Sequence, residues 1–597
     1  MPEAVATLTD HEQLIKAVFI DPIRTVIAVD DEYPTLDSLI EREIDNTRGW
    51  CGSDDDVLRV QELLEYARSK PNPWLVDVYD GKGVPPAAEQ KLAPHLQHSD
   101  LLVLDYHLDG HTDHGERAIE ILRALAANEH FNLVVVYTKG YQGDFNKVVR
   151  EIALGLSSID TELALPIDEE RVVLEELDEW EAQEEGVSKK LKDEVTTDTY
   201  LEVRTRFPVK PCGLLGMEEG KRIIGYWKDR PDKLKLTSTD KLANWLLNEK
   251  QKTLAEQFSS DNLGNVQVGR SDEINWIRTD KLFVTVLPKE SCSPSQFESK
   301  LLAAVKASNP SPHRLLLTKM RAEIDQRGLT AETAILGNRH IQTVWLNDFL
   351  NQTPTDPKAV IVNTINRHWE ALGDQLHGSL DDFASQLQQV FAAYEKSAVF
   401  SLCGLKETDA NSEESLKYYN WYSTTKPIDR SHLTTGHIIQ IHSTNTEPEF
   451  WICLSPACDM VPGRDRTQRF IGSLPFVAVK LHPVTIDKAL KNATKNVFLF
   501  LKIENSIETY CFLKDGDLTN NPEWEQMYAQ NGGRFEDENK MRLSSVLEDG
   551  GELKVTDFEA TIVAQLRSEY ALNFLHRIGV FLSRPGLGIN LKCRQLA

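Results

Sequence analysis

Thr25-Val-Ile-Ala-Val29 is a run rich in β-branched side chains, and it ends directly in three acids, Asp30, Asp31 and Glu32. A short apolar run of this kind, with no polar residue alternating through it, reads as a strand buried on both faces of a parallel sheet. Two further runs have the same form. Leu101-Leu-Val-Leu104 ends in Asp105, and Leu133-Val-Val-Val-Tyr137 ends in Thr138 and Lys139. Between the second and third lies a helical pattern over 115–127. Strand–helix alternation predicts a doubly wound α/β sheet, whose ligand crevice opens at the carboxyl ends of the strands. Each of the three runs delivers a polar residue to that edge.

The chemistry of such an edge follows from the residue types. Two or three carboxylates with no histidine or cysteine among them suit a hard cation such as Mg²⁺. A further aspartate at a neighbouring strand end is a metal ligand or a nucleophile toward a phosphoryl group. The charge that develops in phosphoryl transfer then needs a cation, a hydroxyl and a lysine around it. Taken singly, an Asp-Asp-Glu run is also an ordinary solvated turn, and an aspartate after a strand is often a helix cap. The order of these features, each placed at a strand end, makes them a set.

Asp30-Asp31-Glu32, then Leu102-Val-Leu-Asp105-Tyr-His-Leu, then Val136-Tyr-Thr138 resemble the opening signatures of response-regulator receiver domains. The resemblance implies a flavodoxin-like fold in which Asp30 and Asp31, with Asp105 and the backbone carbonyl of His107, hold Mg²⁺. Asp105 is then the phosphoacceptor, served by a histidine kinase, Thr138 senses the phosphoryl oxygens, and Glu32 flanks the acid pair. The family's fourth signature, a lysine before proline with an aromatic three residues upstream, is matched by Phe207-Pro-Val-Lys210-Pro211. Lys139 is the alternative site lysine. Lys210 is preferred, because a residue adjacent to Thr138 on a strand points to the other face.

Two spacings exceed the family's. Asp31 and Asp105 lie 74 residues apart, which predicts an enlarged unit around 41–85. Thr138 and Lys210 are 72 residues apart, and the gap contains 168–185, where ten of eighteen residues are acids. Val173, Leu177 and Trp180 recur there at helical spacing, so an acidic, solvated amphipathic helix is expected inside an insertion at about 157–200.

The remainder predicts architecture rather than chemistry. The receiver-like domain is expected at 20–225 and a small α/β unit at 226–320, with strands at 281–288 and 313–318. A helical region should follow at 321–410, then a β-rich domain with a C-terminal helix at 411–597. His432, His437, His442, Cys453, Cys458 and Asp459 lie close together in sequence and offer zinc ligands. Yet His437 and His442, five apart on a strand, face opposite ways, and a Cys/His nucleophile lacks a third orienting group.

The chain has 597 residues, with 66 Lys+Arg against 92 Asp+Glu and a net charge of −26. That field repels nucleic acid and anionic membrane surfaces. No 18-residue apolar run or signal-peptide pattern occurs, and the eight cysteines are scattered, so a reduced cytoplasmic protein is expected. The motif-poor remainder also resembles regulators of bacterial phage-defence systems of the Detocs type, in which one regulator lacks an effector and drains phosphate. Three functions follow: a phosphate-accepting regulator, a phosphorylation-controlled hydrolase with its site in 212–597, and an interaction scaffold. Other signalling proteins and a second copy of the chain are the expected partners.

Overall fold

The computed structural model describes residues 3–45, 50, 52–81, 96, 99–108, 115–141, 143–205, 211–231, 237–258, 265–271, 273–350, 357–428, 432–442, 448–462, 472–536 and 539–583. The chain divides into two compact units, Met1–Ala322 with Ser379–Gly404, and Glu323–Gly378 with Leu405–Ala597. Among the described residues, no helix is long and apolar enough to cross a membrane.

The first unit is built on a seven-stranded sheet. Its strands are β1 (Thr25–Val29), β2 (Leu75–Tyr79), β3 (Leu101–Leu104), β4 (Asn132–Thr138), β5 (Gln267–Arg270), β6 (Asn275–Arg278) and β7 (Leu282–Pro288). The order across the sheet is β2-β1-β3-β4-β7-β6-β5. The first five are parallel, and β6 and β5 extend the edge in antiparallel fashion. All three runs read from the sequence are strands, and all lie in the interior of the sheet. Residues Leu101–Leu104 and Asn132–Thr138 are buried throughout, as expected for strands covered on both faces. The β1/β3 junction is the switch point where a doubly wound sheet opens its crevice.

One apolar cluster covers each face of the sheet. Helices Glu116–Ala127 and Phe145–Leu156 pack on one side with Trp180, Trp227 and Trp245, and Leu14, Val18, Leu63 and Phe297 pack on the other. The acidic helix is present as Ile167–Glu181. It buries Val173, Leu177 and Trp180 and leaves most of its acids outside. Glu176 is the exception: it is buried and accepts the backbone N–H of Thr237 at 3.2 Å.

Two expectations need correction. The segment 226–320 is not a separate α/β unit, because β7 forms a continuous parallel ladder with β4, from Asn132↔Leu282 to Thr138↔Pro288. The run 313–318 is not a strand but the first turns of the helix Pro312–Leu336. Ser311 caps that turn: its Oγ accepts the N–H of Arg314 at 3.2 Å, and Pro312 stands in the first helical position. Three consecutive leucines, Leu315 to Leu317, do not distinguish a strand from a helix, and the cap decides it.

The second unit contains a closed antiparallel barrel. Its strands are β8 (Thr425–Lys426), β9 (His437–Ile441), β10 (Glu449–Cys453), β11 (Leu474–Pro483), β12 (Phe498–Ile503), β13 (Ser506–Cys511), β14 (Trp524–Ala529), β15 (Lys540–Asp549) and β16 (Glu552–Leu566). The pairing β10-β9-β16-β15-β14-β11 returns from β11 to β10 and closes the ring. Ile439, Trp451, Phe476, Met527, Leu543 and Ile562 belong to one of its buried clusters. Closure leaves the ring without free edges. The hairpin β12–β13 and the helix Ser568–Leu582 form the second cluster, around Phe512 and Phe574.

Candidate functional site

Four of the five parallel strands, β1, β3, β4 and β7, hand polar residues to the same edge. Asp30 follows β1, and its backbone N–H donates to Tyr79 O at 2.9 Å. Its Oδ1 accepts the N–H of Glu32 at 3.0 Å, a turn that fixes the direction of the acid run. Asp105 follows β3, with its N–H on Val29 O at 2.8 Å and its Oδ1 facing the N–H of His107 at 3.4 Å. Thr138 closes β4 and is fully buried. Its Oγ1 accepts the N–H of Gly140 at 3.1 Å and lies 3.2 Å from His107 Nδ1. Gly140 has φ +66°, which allows the chain to turn back over that hydroxyl.

The fourth residue is Lys289, directly after β7. Its N–H donates to Thr138 O at 2.9 Å, extending the ladder by one residue. Its side chain is fully buried, and Nζ lies 2.7 Å from Asp30 Oδ2 and 2.9 Å from Asp105 Oδ2. Glu32 is farther from it, at 3.9 Å. Lys139 is instead a rim residue, half exposed, paired with Glu32 at 2.7 Å. Among the described residues, the lysine that meets Asp105 is Lys289 and not Lys139. Lys210 and Phe207 lie outside the described residues.

The reason is the length of the excursion between β4 and β7. Among the described residues it carries seven α-helices and the β5–β6 hairpin before the fifth parallel strand arrives. The lysine–proline pair at Lys210-Pro211 falls partway through it. The signal that identifies Lys289 is the apolar run Leu282–Pro288, with a lysine at its carboxyl end like the polar residues that end β1, β3 and β4. His107 also has a role that spacing did not suggest, since its ring touches Thr138. It sits edge-on to Tyr106 and Tyr141, whose hydroxyls share Glu151 Oε2 at 2.5 and 2.6 Å.

Burial raises the Asp30 carboxyl well above the usual carboxylate range; Lys289 opposes that shift and Asp105 adds to it. Asp31 is pushed up to about 6, by burial first and then by the negative charges of Asp105 and Glu32. For Lys289, burial favours the neutral amine, but Asp105 and Asp30 together hold the ammonium form. Such a cluster is stable only with positive charge inside it.

The residues fit a hard divalent cation. Among the described residues, Asp30, Asp31 and Asp105 are the group of His, Cys, Asp or Glu whose ligand atoms all lie within 4.8 Å of one another. Asp31 Oδ1 is buried and has no hydrogen-bond partner, so one ligand atom is uncommitted. Were all three carboxylates ionised, the single ammonium of Lys289 would leave two negative charges for a cation to offset, and the donors are all oxygen.

The histidine and cysteine group of the second unit does not converge in this way. His437 is completely buried, with Nδ1 accepting the N–H of Thr434 at 3.0 Å, and burial drives its imidazole down to about 3. Cys453 is buried in the β-cluster, whereas Cys458 is exposed, with Sγ 3.2 Å from Asp459 Oδ1.

Residues 22–190 match the family model described as the response receiver domain. The match covers β1 to β4, and therefore Asp30, Asp31, Asp105 and Thr138; β7 and Lys289 lie beyond it. No curated protein and no solved structure matches the chain.

Proposed function

Starting from a response-regulator receiver domain at the N-terminus, we propose that this chain accepts a phosphoryl group on Asp105 from a histidine kinase and acts as a signalling regulator. The observation that carries the reading is the convergence of Asp105 with Asp30, Asp31, Thr138 and Lys289 on one strand edge, with Lys289 Nζ 2.9 Å from Asp105 Oδ2.

An Asp105 carboxylate oxygen attacks phosphorus, and the bond from phosphorus to its leaving group breaks as the new P–O bond forms. The product is an acyl phosphate. The ammonium of Lys289 stands where the transferred oxygens gather negative charge, and the hydroxyl of Thr138 is a second donor within the same buried edge. Asp30, Asp31, Asp105 and the His107 carbonyl would hold Mg²⁺. That ion would offset charge on the phosphoryl oxygens and let the carboxylates stay ionised together. His107 keeps Thr138 in place until phosphorylation supplies a stronger acceptor for its hydroxyl.

The output of the second unit is regulatory. In this reading the chain draws phosphate from a partner regulator, as the effector-less regulators of Detocs-type phage defence are thought to do. The test is incubation of the full chain with acetyl phosphate and Mg²⁺, followed by intact-mass analysis. One phosphoryl adduct should form, and it should be absent in Asp105→Asn. No adduct in the wild type, with a receiver of known activity labelled in parallel, would count against the proposal.

A further inference from the structure

At the opposite end of the parallel strands from Asp105, two arginines gather around one aromatic ring and a third lies near one of them. Arg314 and Arg321 lie two turns apart on the helix Pro312–Leu336, and their guanidinium carbons are 5.8 and 4.7 Å from the centre of the Phe131 ring. Phe131 immediately precedes β4. Arg278, the last residue of β6, completes the group: its guanidinium donates to Gln267, and that of Arg314 donates to the backbone carbonyl of Asp280 at 2.9 Å. Arg278 and Arg314 are half-buried and Arg321 is exposed.

None of the three makes an ion pair with a carboxylate of the described residues, although the chain carries 92 acids to 66 bases. The nearby Lys281 does find one, Glu129 at 2.8 Å. Asp280 is the acid that acts on Arg278 and Arg314, and it contributes its carbonyl, not its carboxylate, to the hydrogen bonding. Burial lowers all three guanidinium groups. Arg314 adds to the shift of Arg278, now down to about 10, and to that of Arg321. Like charges held together in partial burial store a repulsion that an anion from outside would relieve.

We infer that Arg278, Arg314 and Arg321, with Phe131 as an apolar floor, form a docking strip for an acidic segment of a partner protein. The guanidinium groups of Arg314 and Arg321 converge on one ring, and the carboxylates of an acidic segment complement that charge. Each guanidinium can take a carboxylate in bidentate fashion, and the Phe131 ring offers a surface for an apolar side chain between them. The strip lies away from the phosphoacceptor edge, so a partner could dock without covering Asp105.

The test uses the full chain and, as probe, a fluorescent peptide with the sequence of residues 167–185. Binding is read by anisotropy in 50 mM NaCl, used as about the lowest salt that keeps screening weak. Saturable binding is expected. It should weaken by about tenfold or more in Arg321→Gln and further in the Arg314→Gln/Arg321→Gln double variant, and it should fall again as salt rises. Arg321 is the most exposed of the three, so its replacement disturbs the packing least, and Lys228→Gln should bind as the wild type does. The inference is overturned by absence of saturable binding, by equal affinity across the variants, or by tripolyphosphate or single-stranded DNA binding the strip while the peptide does not.

Discussion

Lys289 and Asp105 are 184 residues apart in the chain, yet Nζ of one lies 2.9 Å from Oδ2 of the other, with no exposure of the lysine side chain. The pair ties the last parallel strand to the central one. Removing one partner of a buried ion pair leaves the other without compensation, so Lys289→Met should destabilise the first unit by about 3 kcal/mol or more. Lys139→Met, at the exposed rim against Glu32, should cost less than about 1 kcal/mol. Urea unfolding of the two variants beside the wild type measures both, and equal losses would remove the distinction.

Asp31 is half-buried beside like charges, with its buried Oδ1 unpartnered. Asp31→Asn removes that repulsion, so in metal-free buffer the variant should be at least as stable as the wild type. Addition of millimolar Mg²⁺ should raise the melting temperature of the wild type and leave that of Asp31→Asn nearly unchanged. A matching Mg²⁺ response in both proteins would place the cation elsewhere.

Gly115 approaches the ring of Tyr106 so closely that a Cβ there would lie 2.1 Å from Tyr106 Cζ. The ring has little freedom to yield, since it is fully buried and its hydroxyl is held by Glu151. Gly115→Ala should therefore destabilise by about 1–3 kcal/mol and shift the His107 ring that Tyr106 contacts edge-on. Denaturant midpoints check the first effect and histidine NMR resonances the second. A neutral variant would show that this contact relaxes without cost.

His437 titrates at about 3 when buried, below its ordinary value near 6.5. Above pH 6.5 it is neutral in both the folded and the unfolded chain and contributes no pH dependence. Below that, the unfolded chain binds the extra proton, and stability falls by about 1.4 kcal/mol per pH unit until the folded value is reached. Wild type should lose about 2 kcal/mol relative to His437→Gln between pH 6.5 and pH 5. Hydrogen exchange at the amides of β9 and β16 reads this locally, and parallel pH profiles would contradict it.

Much of the first unit was legible because its strands are buried on both faces. Runs such as Leu101–Leu104 contain no polar residue until the edge, and that edge is where Asp30, Asp105 and Thr138 stand. The fifth strand was legible as a strand but not as a member of the same sheet. Nothing in local composition tells how far a crossover travels before its chain pairs again, and this one contains a folded helical excursion. Lys289 was therefore passed over, and the closing lysine was sought at Lys210 or Lys139. The contact of His107 with Thr138 depends on which way a ring turns at a strand end, which spacing does not specify. The barrel was visible as short strands with polar turns, whereas its closure depends on β10 pairing with β11 across the turn at 457–459 and the residues that follow it.

The central claim is that Asp105 accepts phosphate with Lys289 as the lysine of its site. Its most direct test is the rate of phosphoryl incorporation from acetyl phosphate and Mg²⁺ in wild type, Asp105→Asn, Lys289→Met and Lys210→Met, each confirmed folded. Loss of one charge-stabilising donor typically costs about a hundredfold in rate or more. Incorporation should vanish in Asp105→Asn, fall by about that factor in Lys289→Met, and stay within about twofold of wild type in Lys210→Met. Normal labelling of Lys289→Met with loss in Lys210→Met would contradict the account.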